Sequence, residues 1–347
     1  MKNILVLGNM QADSFAYHIS QNLILLNYNV TNFSFEPNTY DAKSFVSKKF
    51  NKYFRYVFNQ LLNFKFAREI ILRPFFKIIT NKNIDLIIST HDYLWPYEVK
   101  VIKKTKTKIC LWFPDPVVNL GKSYFFNCNY DALFFKEPFI VNKIKRLSNL
   151  PVYFLPECFN PFAYDIPENK PKPETDIVTF GSFYSWRNLQ LEKFLDYNIK
   201  FFGSDPPDWL QSNLKNFHSG YPVFLNDKSN SLLKSKIVLN NLNFGEIQSL
   251  SARVFETAGI GAFQIFDYSD SVSDIFEEFE CVTFKNSEDM KDKVDYFLNN
   301  PFERDKIAEA ARKKILKKHT YKNRIDTLLN VIYKNGKGFD SELINKI

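Results

Sequence analysis

Residues 248–267 read QSLSARVFETAGIGAFQIFD. The stretch opens polar, places Arg253 and Glu256 three residues apart, breaks at Gly259 and Gly261, and closes with the apolar run 262–266 before Asp267. It predicts a helix that offers its N-terminus and one charged face to a ligand, then a tight turn into a buried strand. A helix feeding such a strand is one step of a sheet covered by helices. On spacing alone, Arg253 and Glu256 are as readily an ordinary surface pair on that helix.

The same alternation extends outward. Downstream come a strand at 281–284, a helix at 287–298 with Ser287-Glu288-Asp289 at its start, and a helix at 301–318 opened by Pro301 and closed by lysines. Upstream, 176–180 and 199–202 read as strands around a loop at 181–188 and a helix at 189–195, and 235–239 is another short apolar run. Nearer the N-terminus the pattern gives a strand at 2–8, a loop at 9–14, a helix at 15–26 capped by Asp13 or Ser14, and strands at 29–35, 84–89, 108–113, 132–135 and 152–155. The fold class expected is α/β, with two Rossmann-like domains facing across a cleft. Pro161, Pro167, Pro171 and Pro173 mark a linker. The expected domains are therefore 1–163 and 174–325, with the tail 326–347 packing back on the first.

A length of 347 residues suits two domains, and 45% hydrophobic residues suffice for two cores. The abundance of Phe (37) and Tyr (18) is most simply a bias of an AT-rich gene. The net charge of +8 permits anionic partners but selects none. No nucleic-acid module accompanies it, so nucleic acid is not an expected partner. Four scattered cysteines without a CxxC pair argue against a zinc site or a disulfide framework and fit a reducing cytoplasm. The N-terminus is too short in its apolar part for a secretory leader, and no run of 18 apolar residues occurs. Residues 45–82 are strongly basic and aromatic and predict two helices broken before Pro74. They suit a membrane-surface patch; the commoner use of such a pair is core packing with a solvated basic face.

Ligands on parallel sheets sit at the carboxyl ends of strands, which draws attention to three loops. Gly181-Ser182-Phe183-Tyr184-Ser185-Trp186-Arg187 follows a strand; Arg187 suits an anion, and Tyr184 or Trp186 suits stacking on a base. His91 and Asp92 follow another strand, and Asp115 a third. These three are the candidate general bases, with Asp13 as a rival. His18 reads as mid-helix packing and His319 as a helix C-terminal residue.

Four segments together resemble the C-terminal nucleotide-binding domain of GT-B glycosyltransferases, in particular the spore maturation protein CgeB-like group: DIVTFGSFYSWR (176–187), SKIVLNNLN (235–243), ARVFETAGIGAFQIFD (252–267) and the run from Val282 to Ile325. The N-terminal half is similar more loosely, through Asp115 and YFLPECFNP (153–161). The resemblance implies a transferase moving a sugar from a nucleotide-sugar donor to a glycan, protein or lipid-linked acceptor, with no cofactor and no metal. It implies donor binding by Gly181, Ser182, Tyr184, Arg187, Asn241, Gln248, Arg253 and Glu256. Glu256 would hold the ribose, Arg253 the diphosphate, and Gly259 and Gly261 would let the chain pass close to the nucleotide. Many retaining members carry a Glu eight residues before the one matching Glu256; here that residue is Gln248, which leaves the stereochemistry open. The expected location is the cytoplasm, with the inner membrane face for a lipid-linked acceptor. The competing reading is a non-catalytic protein that binds a membrane or another anionic surface through residues 45–82.

Overall fold

A computed structural model describes residues 1–35, 53–54, 56–219 and 223–345. Part of the basic aromatic segment, 45–52 and Arg55, lies outside the described residues. Two compact units form: residues 1–114 with 121–134, and residues 115–120 with 135–347.

The first sheet is built from β1 (Asn3–Leu7), β2 (Asn29–Phe33), β3 (Leu86–Ser89), β4 (Lys108–Phe113), β5 (Ala132–Phe135) and β6 (Val152–Phe154), in the order β2-β1-β3-β4-β5-β6. β1 pairs in parallel with β2 and β3, and β3 with β4. Ile4–Leu7 and Leu86–Ile88 are wholly buried, as continuous apolar runs in a parallel sheet must be when helices cover both faces. The chain leaves β1 toward β2 on one side and returns to β3 on the other, so the strand order reverses between β1 and β3.

The second sheet holds β7 (Thr175–Phe180), β8 (Ile199–Phe202), β9 (Ser235–Asn240), β10 (Gln264–Asp267) and β11 (Val282–Phe284), in the order β11-β10-β9-β7-β8. Its reversal lies between β7 and β9, which are parallel neighbours. Helix Ala252–Ile260 packs on one face, with Val254, Phe255 and Ala258 in the core. In the same cluster Ala311 and Ile315 come from helix Pro301–Lys318. The opposite face is filled by Phe194, Phe201, Phe263, Met290 and Val294.

Several boundaries move from their sequence expectation. Helix Ser185–Leu191 begins four residues early, so the loop after β7 is only 181–184. The helix expected from about 248 begins at Ala252, and 248–251 is irregular. Ser14 accepts the Tyr17 N–H and is the first helix's cap. Asn286, not Ser287, caps helix Ser287–Asn299 by accepting the N–H groups of Glu288 and Asp289. Residues 56–82 hold three helical pieces rather than two, because 62–64 form a turn before helix Lys65–Ile71, and helix Arg73–Asn81 follows.

The two glycines of the opening stretch have structural tasks. Gly259 lies inside its helix, where a Cβ would overlap the Phe159 ring. Gly261 takes φ +91° and closes the helix by donating to the carbonyls of Thr257 and Ala258. The tail meets the edge of the first sheet at β6, where the Phe339 N–H donates to the Phe154 carbonyl (3.0 Å), and Asn142 Nδ2 donates to the Leu343 carbonyl (2.8 Å).

Candidate functional site

β7 ends at Phe180, and the chain turns sharply at Gly181, whose φ of +123° is open to glycine at little cost. Arg187, on the first turn of helix Ser185–Leu191, reaches back under this turn. Its guanidinium donates to Thr179 Oγ1 (2.5 Å), the Phe180 carbonyl (2.6 Å) and the Ser182 carbonyl (3.3 Å), and stacks over Phe201 at 5.0 Å. The side chain is buried, and Nε has no partner.

Arg253 arrives from the other side. It donates to the Phe180 carbonyl at the end of β7 and to the Asn241 carbonyl just past β9 (2.9 Å). It therefore spans the point where the strand order reverses, the usual ligand position on an open α/β sheet. A Cβ on Gly181 would lie 2.9 Å from Nη1 of both arginines. Two guanidiniums thus converge on one glycine turn, and among the described residues neither has a carboxylate within ion-pair distance. Burial is the main cause holding Arg187 well below the usual arginine range, and the nearby Arg253 charge is next. Arg253 is also lowered by burial, offset by Glu246 and Glu256. Tyr184, half exposed beside the turn, acts electrostatically on both. Asp267, at the end of β10, accepts the Leu242 N–H (2.7 Å), and burial raises its pKa to about 6.

Glu256 lies one turn past Arg253 on helix Ala252–Ile260. Its carboxylate accepts from Tyr164 Oη (3.2 Å) and pairs with Lys228 Nζ (2.9 Å). Asn241 is buried and donates to Gln190 Oε1 (2.7 Å), with its own Oδ1 unpartnered. Gln248 stands apart from the arginines. Its amide donates to Asp270 (3.2 Å), and its buried Oε1 has no partner.

What holds Gln248 is a network that the sequence reading missed. Glu137, directly after β5, is buried and accepts from Ile247 N (3.0 Å), Gln248 N (2.9 Å) and Ser249 Oγ (2.9 Å). Burial raises its pKa despite these three donors. Beside it, Lys136 pairs with Glu246 at 2.7 Å, both buried, and Ser249 Oγ also donates to Glu246 (2.6 Å). The loop leading into helix Ala252–Ile260 is thereby fixed from residues about 110 positions away in sequence. The available signal was a Lys-Glu pair following the apolar run ALFF (132–135). A second missed group is Glu157: it is buried, its Oε2 has no partner, and desolvation raises its pKa to about 8 against the nearby charge of Lys136.

The candidate bases are divided between the units. His91 and Asp92 follow β3, at the strand-order reversal of the first sheet. His91 Nδ1 lies 3.3 Å from Thr90 Oγ1, and its ring packs edge-on to Phe113. Asp92 accepts the Phe125 N–H (3.3 Å) through Oδ2, while Oδ1 is buried and unpartnered; burial raises its pKa to about 6. Asp115 groups with the second unit and accepts from Asn119 Nδ2 (3.2 Å).

Residues 186–330 match the family model described as glycosyl transferase-like. No curated protein sequence matches the chain. Among solved structures, sucrose-phosphate synthase from Thermosynechococcus elongatus is similar with a TM-score of 0.68 at 8% identity, covering 97% of this chain and 100% of that one. A glycosyltransferase from Rickettsia africae follows at 0.65 and 14%, over 96% and 98% of the two chains. Anabaena HepE in complex with UDP-glucose also gives 0.65, at 10% identity over 96% and 100%. The fold is GT-B, with two Rossmann-like α/β sheets. Among the described residues, no helix is long and apolar enough to cross a membrane.

Proposed function

We propose that the chain transfers a sugar from a nucleotide-sugar donor to an acceptor hydroxyl, with the donor held by the second unit. The observation that carries this reading is the convergence of Arg187 and Arg253 on Gly181 with, among the described residues, no carboxylate in ion-pair contact with either. Two guanidiniums brought together at a strand-order reversal, each the other's neighbour in charge, suit an anion supplied from outside. A nucleotide diphosphate has the charge and size for it. Arg253, partly exposed, would touch the phosphates; Arg187, buried beneath the turn, would position Gly181 and Ser182 and add its charge. Glu256 would take the ribose hydroxyls in competition with Lys228, and Tyr184 offers an exposed ring to the base.

In the reaction, the bond between the anomeric carbon and the donor phosphate oxygen breaks, and the diphosphate leaves with the bonding pair. The acceptor oxygen bonds that carbon and gives up its proton to a base. We assign the base to Asp92, because a carboxylate raised to about 6 is still mostly ionised at neutral pH yet basic enough to accept a proton in the transition state. The charge that develops on the diphosphate would be met by the two guanidiniums, which are already in place before the reaction. Under this reading no metal is required.

Calorimetric titration with UDP, GDP and ADP tests the donor assignment. Binding of one of them to the wild type, lost in Arg253→Ala, supports it; absence of binding to all three overturns it. A screen of nucleotide-sugars for hydrolysis then identifies the sugar.

A further inference from the structure

Helix Lys65–Ile71 is inside out. Its inward residue is charged: Arg68 is buried, bonded to Glu98 at 2.5 and 2.8 Å and stacked over Trp95 at 4.8 Å. Its outward residues are apolar: Phe66 is 75% exposed, and Ile70, one turn on along the same face, is exposed too. A helix that packs only against its own unit shows the reverse arrangement. The exposure continues upstream through Tyr53, Tyr56, Leu61 and Phe64, the last 64% exposed. Scattered exposed apolar residues need no explanation, but a run of large ones along one short stretch marks a contact surface. Helix Arg73–Asn81 has the ordinary orientation, with Phe75 and Ile79 buried and Lys77 exposed.

The charge around this face says what it meets. Exposed Lys65, Arg73 and Lys77 adjoin it, and the one acid in the segment, Glu69, lies 3.9 Å from Lys65. Among the described residues of this segment, exposed Lys65, Arg73, Lys77 and Lys82 stand against that single Glu. Exposed Phe and Tyr among basic residues, with no helix able to span a bilayer, fit the boundary between headgroups and acyl chains. We propose that the outward face formed by residues 53–54 and 56–77 docks the protein on an anionic phospholipid surface.

Sedimentation with vesicles tests this on the full chain. One set is phosphatidylcholine, the other phosphatidylcholine mixed equally with phosphatidylglycerol. The wild type should sediment with the mixed vesicles and little with the neutral ones, less so as salt is raised. Phe64→Ser with Phe66→Ser should lower the partition coefficient at least about tenfold, and Arg73→Glu with Lys77→Glu should do so on the anionic vesicles alone. These side chains are exposed, so the melting temperature should stay at the wild-type value; sedimentation is compared only among variants that meet this. Three results would overturn the proposal. One is equal binding to both vesicle types, another is binding unchanged in both double variants. The third is a lipid-free, concentration-dependent dimer that Phe64→Ser with Phe66→Ser dissolves, which would make the face a self-association surface.

Discussion

The two sheets share a topology, and each reverses its strand order next to its first strand, yet the residues placed at the two reversals differ in kind. At β7 and β9 the chain presents two guanidiniums and little to neutralise them. At β1 and β3 it presents His91 and a half-buried carboxylate, Asp92, with one oxygen unpartnered. Under the proposed function, one site would take an anion that arrives with its charge, the other a proton that leaves a neutral group. The topology fixes where a ligand lies; the side chains at the loop fix which chemistry follows.

Buried arginines elsewhere sharpen the contrast. Arg68 is matched by Glu98 and is finished as a structural element. Arg324 has no carboxylate partner either, but it is satisfied by the carbonyls of Pro156 and Glu157 and by His319 Nδ1 (2.9 Å). Burial lowers its pKa to about 10. Arg187 differs in kind, since its leading charged neighbour is a second cation. A missing carboxylate alone does not point to an anion site; the proposed one rests on two guanidiniums meeting at one glycine turn.

The comparison breaks most decisively at Asp92. Asp92→Asn should lower kcat by about a thousandfold while leaving nucleotide affinity unchanged. The wild-type pH profile of kcat/KM should rise through an apparent pKa near 6 and lose that limb in the variant. A normal rate in Asp92→Asn would move the base elsewhere. Next in size, Arg253→Ala should weaken nucleoside diphosphate binding about a hundredfold, close to 2.7 kcal/mol. Arg253→Lys should recover only part of this, because an ammonium cannot reproduce a planar fork between Phe180 and Asn241.

Glu157→Gln tests a carboxyl that burial keeps neutral. Its folded pKa, about 8, is raised above the ordinary 4.5. Its contribution to stability is therefore fully present below pH 4.5 and is lost as pH rises through 8. The Gln variant cannot ionise, so it should gain on the wild type over that window, by about 2 kcal/mol at pH 6 and more above it. Thermal melts across the window measure it, and parallel pH curves for the two proteins would refute it.

Much of the fold was legible in the sequence. β4, β5, β8 and helix Pro301–Lys318 have the expected ends, because short apolar runs between polar or Pro-containing segments leave little choice of boundary. The helix starts at Ser185 and Ala252 were misplaced. Each is preceded by a residue whose backbone is extended but whose side chain makes no capping bond, so no chemical mark fixes the position. Arg187 and Arg253 were legible as separate candidates. Only the family resemblance put them in one pocket; the residues alone did not, since their meeting depends on β7 and β9 being neighbours although β8 intervenes in sequence. Glu137 and Lys136 were not legible either, because their partners lie far along the chain and no periodicity links them.

The smallest expected effect is at Glu256, and it decides how far the cation-rich site is also a sugar-reading one. Glu256 already holds Lys228 and Tyr164. A ribose would have to share the carboxylate with them or displace them. Glu256→Gln keeps the shape, can still accept from Tyr164, and removes the charge that holds Lys228. If Glu256 binds the ribose, nucleoside diphosphate affinity should fall about tenfold, while inorganic pyrophosphate, which has no ribose, should bind as well as before. If Glu256 only anchors Lys228, the freed ammonium adds positive charge to the unit, and both ligands should bind slightly more tightly. The two outcomes differ in sign, so paired titrations with a nucleotide and with pyrophosphate separate a ribose ligand from a structural ion pair even though the effect is small.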